Sequence, residues 1–203
     1  MKILFATTNP AKIKYYAEEL VKRGFEIITI NDLNIKLDID ESGKNAVENA
    51  CIKAEEYYNV AKILTIAIDD SLYIDGLIEE KQPGTNVRRV NGKRLNDDEM
   101  LEYYINLIKS LGGKVNANWV KGVAIYDGKE MKSFEYRRSS FFFVDKPSDI
   151  VMEGYPMDSL TIIPEFNKYL SELNEEELMI YRQKSSNKEI FEFILKSINE
   201  FGE

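Results

Sequence analysis

The sequence predicts an α/β fold in which a mixed, twisted sheet is flanked by helices. Short apolar strand patterns alternate with capped helical patterns in the first half, an Asp-Gly pair separates two strand patterns in the second half, and the chain ends in a helical pattern. The 203 residues are 44% hydrophobic, which is enough to bury a core, and no linker-like tract divides them. We therefore predict one domain over residues 1–203.

The chain begins with a strand and a helix joined by a polar loop. Residues 2–6 are typical of a buried strand. Asn9 is a common N-cap residue and Pro10 follows at the first helical position, so a helix is predicted to start there. Apolar residues continue at helical spacing up to Gly24, a plausible C-terminal cap, and a second strand is predicted over residues 25–30.

A second helix and strand follow. Between residues 46 and 58 apolar side chains recur at helical spacing and leave Asn49 and Lys53 on a polar side. Residues 63–68 form an apolar run typical of a central strand, which is predicted to end at the Asp-Asp-Ser triplet of positions 69–71. Carboxylates at the carboxyl end of a strand are well placed for a functional site.

The second half of the chain adds two helices and a hairpin. A helix is predicted over residues 96–111, with a capping asparagine, three acidic residues in its first turn and an apolar face. Asp127-Gly128 predicts a two-residue hairpin turn between strands 119–126 and 131–144. The chain closes with a helix capped by Asn187.

Composition excludes several classes of function. The chain has no histidine, which excludes Ser-His-Asp triads, Cys-His pairs and histidine-containing zinc sites. A single cysteine, Cys51, excludes an internal disulfide, and the net charge of −8 argues against binding of DNA or RNA. Because no apolar run suits a signal peptide or a membrane span, we expect a cytoplasmic protein. The remaining carboxylates, lysines, arginines and hydroxyls suit Mg²⁺ and phosphates.

The first candidate segment runs from Thr7 to Lys12, where a strand, a loop and a helix start follow one another. The free N–H groups and the positive dipole end of a helix N-terminus attract an anion, and Lys12 adds a positive charge. The alternative is that Asn9 is only a helix cap and Lys12 a solvated charge.

The second candidate segment combines Glu41 with the adjacent pair Asp69 and Asp70. Neighbouring like charges disfavour ionisation, and a divalent cation would remove that cost. Glu41 and one aspartate could each supply an oxygen ligand, leaving positions for water and phosphate oxygens. The alternative is an exposed turn, because carboxylates are mostly surface residues.

The third candidate segment is a Pro83-Gly84 turn that leads to Arg88 and Arg89. Guanidinium groups offer paired donors that match phosphate geometry. A plain turn with charged neighbours is the alternative.

Taken in order, these segments resemble the inosine-triphosphate pyrophosphatase (Ham1-like) family. That family carries a Thr/Ser-x-Asn-x-x-Lys loop, a Glu-x-Gly segment, a Glu-Asn-Ala-x-x-Lys-Ala helix, an Asp-Asp-Ser triplet and a Pro-Gly turn that leads to an arginine. The matching positions are Thr7, Asn9, Lys12, Glu41, Gly43, Glu48, Asn49, Ala50, Lys53, Ala54, Asp69, Asp70, Ser71, Pro83, Gly84 and Arg89.

The resemblance implies a Mg²⁺-dependent hydrolysis of nucleoside triphosphates, such as those of inosine and xanthosine, to monophosphate and pyrophosphate. It implies that Thr7, Thr8, Asn9 and Lys12 hold the triphosphate, together with Asn49, Lys53, Ser71 and Arg89. It also implies that Glu41 and Asp70 ligate Mg²⁺, and that Asp70, Asp69 and Lys53 carry catalysis. The general base is Asp69 or Asp70, and we favour Asp70.

The match weakens where the family reads the base. The family's Phe-Gly-Tyr/Trp-Asp-Pro segment corresponds to residues 155–159, which keep Tyr155 and Asp158 as candidate base contacts. Its Ser-His-Arg triplet has no counterpart in a chain without histidine, and the nearest residues by position include Gln183 and Lys184. A rebuilt polar network at the base predicts an altered base preference.

The resemblance also implies an elongated, two-lobed domain with a central cleft, and a homodimer. Two other functions remain possible interpretations of the sequence. One is a catalytically weak nucleotide-binding protein, although its cluster of like charges would then have no evident use. The other is a protein-interaction module, indicated only by an acidic surface and 12 tyrosines.

Overall fold

The computed structural model describes residues 2–138, 140–184 and 187–202, with only the backbone described at 182–184 and 187. The chain folds into two compact units. The first comprises Met1–Asp70, Lys121–Tyr136 and Glu189–Glu203, and the second comprises Ser71–Val120 and Arg137–Lys188. Each unit has its own apolar core.

The elements confirm an α/β fold with a mixed sheet. The strands are β1 Lys2–Phe5, β2 Glu26–Thr29, β3 Leu64–Ile74, β4 Arg89–Val90, β5 Lys93–Arg94, β6 Lys114–Tyr126, β7 Met131–Arg138, β8 Phe142–Val144, β9 Thr161–Ile163 and β10 Lys168–Tyr169. The helices are α1 Pro10–Lys12, α2 Glu18–Lys22, α3 Ala46–Ala61, α4 Asp97–Ser110, α5 Glu175–Lys184 and α6 Asn187–Phe201. Strand β1 pairs in parallel with β2 and β3, whereas β8 pairs antiparallel with β6 and β9.

The first helix starts where the sequence predicted. The Asn9 side chain accepts a hydrogen bond from the Ala11 N–H at 2.9 Å, and Pro10 occupies the first helical position. A π-helical turn, Ile13–Ala17, then joins α1 to α2, and the Glu18 N–H donates to the Ile13 carbonyl five residues back. This turn separates the loop end of the helix from its core-packing end.

Side chains of the first unit's strands alternate between two apolar cores, because successive residues of a strand point to opposite faces. One core takes strand residues Ile3, Phe5, Ile66, Ile68, Val123 and Ile125 together with α6. The other core takes Leu4, Ala6, Ala67 and Ala124 together with α3. The helices therefore cover both faces of these strands.

Strand β3 is longer than predicted. The sequence indicated an end at residues 69–71, but the strand continues to Ile74. The predicted end was wrong because Leu72 and Ile74 are buried in the second unit's core, and Leu72 exchanges backbone hydrogen bonds of 2.9 Å with Gly84. As consecutive strand residues, Asp69 and Asp70 therefore point to opposite faces.

Helix α4 of the second unit has the predicted N-terminus. Asn96 and Glu99 form a capping box, in which each side chain accepts a hydrogen bond from the backbone N–H of the other. The core-facing residues are Met100, Tyr104 and Ile108.

The predicted hairpin turn contains four residues rather than two. The Asp127 carboxylate accepts hydrogen bonds of 2.8 Å from the N–H groups of Lys129 and Glu130, and these bonds close a longer loop over residues 127–130. The predicted strand 131–144 is also divided, into β7 and β8. The final helix is confirmed, with Ile190, Ile194 and Ile198 buried. In the described ranges, no helix has the length and apolar content to cross a membrane.

Candidate functional site

The candidate site of the first unit is organised around Asp70, whose carboxylate is held between two lysines. Its Oδ2 lies 2.7 Å from the Lys12 Nζ, and its Oδ1 lies 2.6 Å from the Lys121 Nζ. The three side chains are only 10–17% exposed. Each oxygen of the Asp70 carboxylate therefore carries a short, largely buried ion pair.

Strand alternation explains why these groups meet. Asp70 follows Ile68 and Ile66 on one face of β3, and Lys121 precedes Val123 on the same face of the sheet. Lys12 reaches them from the first turn of the N-terminal helix, and its Nζ also donates to the Ile68 carbonyl at 3.0 Å. The arrangement thus follows from three separate segments of the chain.

Burial and charge act on Asp70 in opposite directions. Burial disfavours the ionised carboxylate, but the ammonium groups of Lys12 and Lys121 outweigh it and hold the pKa of Asp70 below its usual value. Asp70 is accordingly ionised at neutral pH. In this arrangement it is better suited to binding a cation or orienting a water than to removing a proton.

A second ion-paired cluster lies on the opposite face of β3. The Lys53 Nζ, on helix α3, lies 2.8 Å from Asp69 Oδ1 and 3.0 Å from Glu41 Oε1. The structure thus brings Glu41, Lys53 and Asp69 together, whereas the resemblance implied Glu41 and Asp70 as the metal ligands. It groups Glu41 with Asp69, and Asp70 with Lys12.

The loop that carries Glu41 is tied to helix α3 through Asn49. The buried Asn49 side chain accepts a hydrogen bond of 2.8 Å from the Gly43 N–H. A Cβ at Gly43 would lie 2.5 Å from Asn49 Oδ1, so a larger residue does not fit without a shift. Asn49 thereby fixes the backbone next to Glu41.

Two buried polar atoms in this region are unsatisfied. Within the described residues, Asn49 Nδ2 and Asp69 Oδ2 have no hydrogen-bond partner. A native structure rarely leaves such atoms unpaired, so each is a candidate contact for a ligand. Ser71 Oγ, in the second unit, is also buried and unpaired.

The loop before α1 has polar side chains that are partly or fully exposed to solvent. Thr7 and Asn9 are partly exposed and Thr8 is exposed. The Asn9 N–H donates to the Thr7 hydroxyl at 3.2 Å. The loop and the helix start thus remain accessible to an anion at the end of β1.

The two arginines after the Pro83-Gly84 turn have different surroundings in the second unit. The Arg88 guanidinium contacts the Asp97 carboxylate at 2.6 Å and donates to the Gly154 carbonyl at 2.9 Å. Arg89 is exposed at the start of a two-stranded ribbon formed by β4 and β5. Of the two, Arg89 is the one on an open surface.

The Arg88 contact predicts a pH effect on stability. Burial raises the pKa of Asp97, but the Gly154 N–H and the Arg88 guanidinium outweigh it, and the net pKa is lowered. The contribution of Asp97 is therefore complete above the ordinary carboxyl pKa and is lost as the pH falls below about 4. Urea unfolding at pH 6 and pH 3 should show a smaller loss of stability in Asp97→Asn than in the wild type. Asp98→Asn, at an exposed neighbouring position, is the control, and an unchanged loss in Asp97→Asn would contradict the assignment.

The predicted base contacts fall in the second unit. Tyr155 precedes a 3₁₀ turn, Pro156–Ser159, which contains Asp158, and both side chains are partly exposed. Gln183 and Lys184 lie at the end of α5, but their side chains are outside the described part of the structure. Their role in base contact stays a prediction.

Lys121 is the functional candidate that the sequence analysis missed. It interrupts an otherwise buried stretch of β6, in which residues 122–125 are all buried. A charged residue in such a stretch needs a partner, which is the signal that could have identified it. The partner, Asp70, is 51 positions away in the sequence and therefore could not be identified from spacing.

The donor set fits a hard divalent cation. Carboxylate oxygens are ligands that Mg²⁺ prefers, and the unpaired Asp69 Oδ2 is one that a metal could use. Across the described ranges, no three or more acidic or cysteine side chains form a group able to hold a metal ion. A hard divalent cation can also be held by one or two carboxylates, with water and substrate phosphates completing its shell.

Comparisons with known proteins identify similar sequences along almost the whole chain. A sequence model of the Ham1 family matches residues 3–185. The dITP/XTP pyrophosphatase of Leptospira interrogans is 29% identical over 196 residues, which cover 95% of this chain and 96% of that protein. The dITP/XTP pyrophosphatase of Bacillus subtilis is 26% identical over 176 residues and 86% of each chain.

Solved structures show a similar fold. The Ham1 protein of Staphylococcus aureus matches with a TM-score of 0.73 over 100% of both chains, at 21% identity. A HAM1 protein of Coxiella burnetii matches with a TM-score of 0.74 over 98% of this chain and 99% of that chain, at 20% identity. At these identities the structural similarity concerns the fold alone.

Proposed function

The chain belongs to the Ham1 family, and from this premise we propose that it hydrolyses non-standard purine nucleoside triphosphates, such as dITP and XTP, to the monophosphate and pyrophosphate. The relatives named dITP/XTP pyrophosphatases support this proposal along almost the whole chain. Such an enzyme would remove damaged nucleotides from the cellular pool. We further propose that it acts in the cytoplasm, as one domain and as a homodimer.

The observation that carries the proposal is the pairing of carboxylates with lysines in the first unit. Asp70 lies between Lys12 and Lys121, and Lys53 lies between Asp69 and Glu41. A triphosphate brings negative charge that ammonium groups can take up, and a metal brings positive charge that carboxylates can take up. A site for metal-bound polyphosphate needs both kinds of group.

We assign roles to these residues as follows. Mg²⁺ is the proposed cofactor, held by Glu41 and Asp70 with Asp69 nearby, and it would stabilise charge that develops on the phosphates. Lys12 and Lys53 neutralise phosphate oxygens, and the loop Thr7–Asn9 supplies backbone and side-chain donors. Asp70 orients the attacking water, for which an ionised, firmly held carboxylate is suited.

The remaining contacts belong to the rest of the substrate. Ser71 and Arg89 are proposed to contact phosphates, and Asn49 to support the loop that carries Glu41. Tyr155, Asp158, Gln183 and Lys184 are proposed to contact the base. Because histidine is absent from the chain, the base is proposed to be bound by groups other than the family's Ser-His-Arg triplet.

The direct test is pyrophosphate release with Mg²⁺ from a panel of triphosphates. The panel contains the triphosphates of inosine, xanthosine and the four common nucleosides, each with ribose and with deoxyribose. We expect the highest kcat/KM for the inosine or xanthosine forms. Preference for a common nucleotide would indicate a rebuilt base pocket. Absence of release from every triphosphate would refute the enzymatic function and favour a nucleotide-binding protein.

A further inference from the structure

Lys121 is a charged side chain that strand β6 keeps largely buried. Its Nζ lies 2.6 Å from Asp70 Oδ1, and its side chain is 16% exposed. Burying an ammonium group is costly unless a counter-charge lies beside it. A neutral residue could fill this strand position without that cost, so the lysine indicates a role that involves Asp70.

With Lys121 in place, each oxygen of Asp70 already accepts a hydrogen bond from an ammonium group. Oδ1 is paired with Lys121, and Oδ2 is paired with Lys12 at 2.7 Å. The Lys12 Nζ is itself anchored by the Ile68 carbonyl at 3.0 Å. A divalent cation that binds Asp70 must therefore either lie beside two ammonium groups or displace one of them and remain close to the other. At these short distances the repulsion between like charges is large.

The charges of the wider cluster also balance. Three carboxylates, those of Glu41, Asp69 and Asp70, contact three ammonium groups, those of Lys12, Lys53 and Lys121, so the formal charge is zero. The ammonium groups therefore weaken the attraction of these carboxylates for a free divalent cation. A polyphosphate that arrives with the cation offers oxygens to which the lysines can transfer, and that transfer frees the carboxylates.

We propose that Lys121 is a positioning residue that, together with Lys12, keeps both oxygens of Asp70 paired and thereby makes cation binding depend on a polyphosphate arriving at the same time. This inference rests on the proposed function, because it concerns the same metal and phosphate site. It adds Lys121 to that site and specifies an order of binding, in which the cation does not bind before the polyphosphate. A hydrolase that excludes free metal keeps its carboxylates reserved for the metal-bound substrate.

The test measures cation binding without nucleotide. Mn²⁺ serves as the probe, and the electron paramagnetic resonance signal of free Mn²⁺ reports how much is bound. Lys121→Met should tighten Mn²⁺ binding by about tenfold or more relative to the wild type, since one like charge next to Asp70 is removed. Lys121→Arg should keep the weak binding of the wild type. The double variant Lys121→Met with Asp70→Asn should lose the gain, because the freed oxygen is then uncharged.

A matched control is Lys132→Met, which removes a lysine paired with Glu200 in the same unit but outside the site. The control should bind Mn²⁺ as the wild type does. If Lys121→Met fails to fold, Lys121→Gln provides the same loss of charge. An affinity within twofold of the wild type in the folded neutral variant, or an equal gain in the control, would overturn the proposal. The assay needs no turnover, so a failure of the proposed function would appear separately, in the triphosphate panel.

Discussion

Asp70→Asn is expected to lower kcat for triphosphate hydrolysis by about 10³-fold, with the KM for the nucleotide changing much less. The substitution keeps the shape of the side chain and removes its charge. A neutral amide cannot hold a cation or align a water as a carboxylate does, and losses of this size follow removal of a single electrostatic contact in an active site. Steady-state pyrophosphate release at saturating Mg²⁺ measures the effect.

The same variant is expected to be less stable, since Lys12 and Lys121 would then face an uncharged partner in a largely buried place. Removal of one partner from a buried ion pair costs about 3–5 kcal/mol, and the residual exposure of these side chains places the cost at the lower end. Adding Lys121→Met to Asp70→Asn should recover part of the stability and none of the activity. Wild-type kcat in folded Asp70→Asn would refute the assigned role of Asp70.

Gly122→Ala is expected to destabilise the fold by about 3 kcal/mol. A Cβ at this position would lie 2.2 Å from the carbonyl carbon and oxygen of Ala46, the first residue of α3. Backbone cannot yield as a flexible side chain does, so β6 or the start of α3 must move. Because α3 carries Asn49 and Lys53, the variant should lose activity as well as stability. Urea unfolding followed by circular dichroism gives the free-energy change.

Gly202→Ala is the matched control for this substitution. There a Cβ would meet the Asn199 carbonyl oxygen at 3.4 Å, close to ordinary van der Waals contact. Its free energy of unfolding should remain within about 0.5 kcal/mol of the wild type, as for most surface changes. Equal stability of Gly122→Ala and Gly202→Ala would show that the close approach of β6 to α3 is not a tight constraint.

Local signals in the sequence predicted most of the elements. Caps at Asn9 and Asn96, and the periodic apolar residues that follow them, identified the helix starts because capping and helical spacing are short-range effects. The predicted end of β3 was wrong because it depends on contacts between residues that are distant in the sequence. Polar residues at 69–71 indicated a loop, whereas the buried side chains of Leu72 and Ile74 extend the strand in three dimensions.

The candidate site could be predicted one segment at a time, but the partners of each residue could not. Motif order placed Glu41, Asp69 and Asp70 in one region. The sequence did not reveal that neighbouring aspartates would face opposite sides of β3, because this depends on the triplet lying within a strand. Lys121 was missed because its partner is distant in the chain.

The π-helical turn Ile13–Ala17 inserts one extra residue into the first helix, and a residue of α-helix turns by about 100°. The insertion lets one short helix direct side chains toward two different places. Ahead of it, Lys12 points to Asp70, whereas Tyr16 and Ala17 at its end and Leu20 beyond it point into the core. A uniform helix would align one group and rotate the other away. The extra residue therefore rotates the two parts of the helix relative to each other about the helix axis. As a result, the direction of the Lys12 side chain does not depend on the direction that core packing requires of the residues that follow.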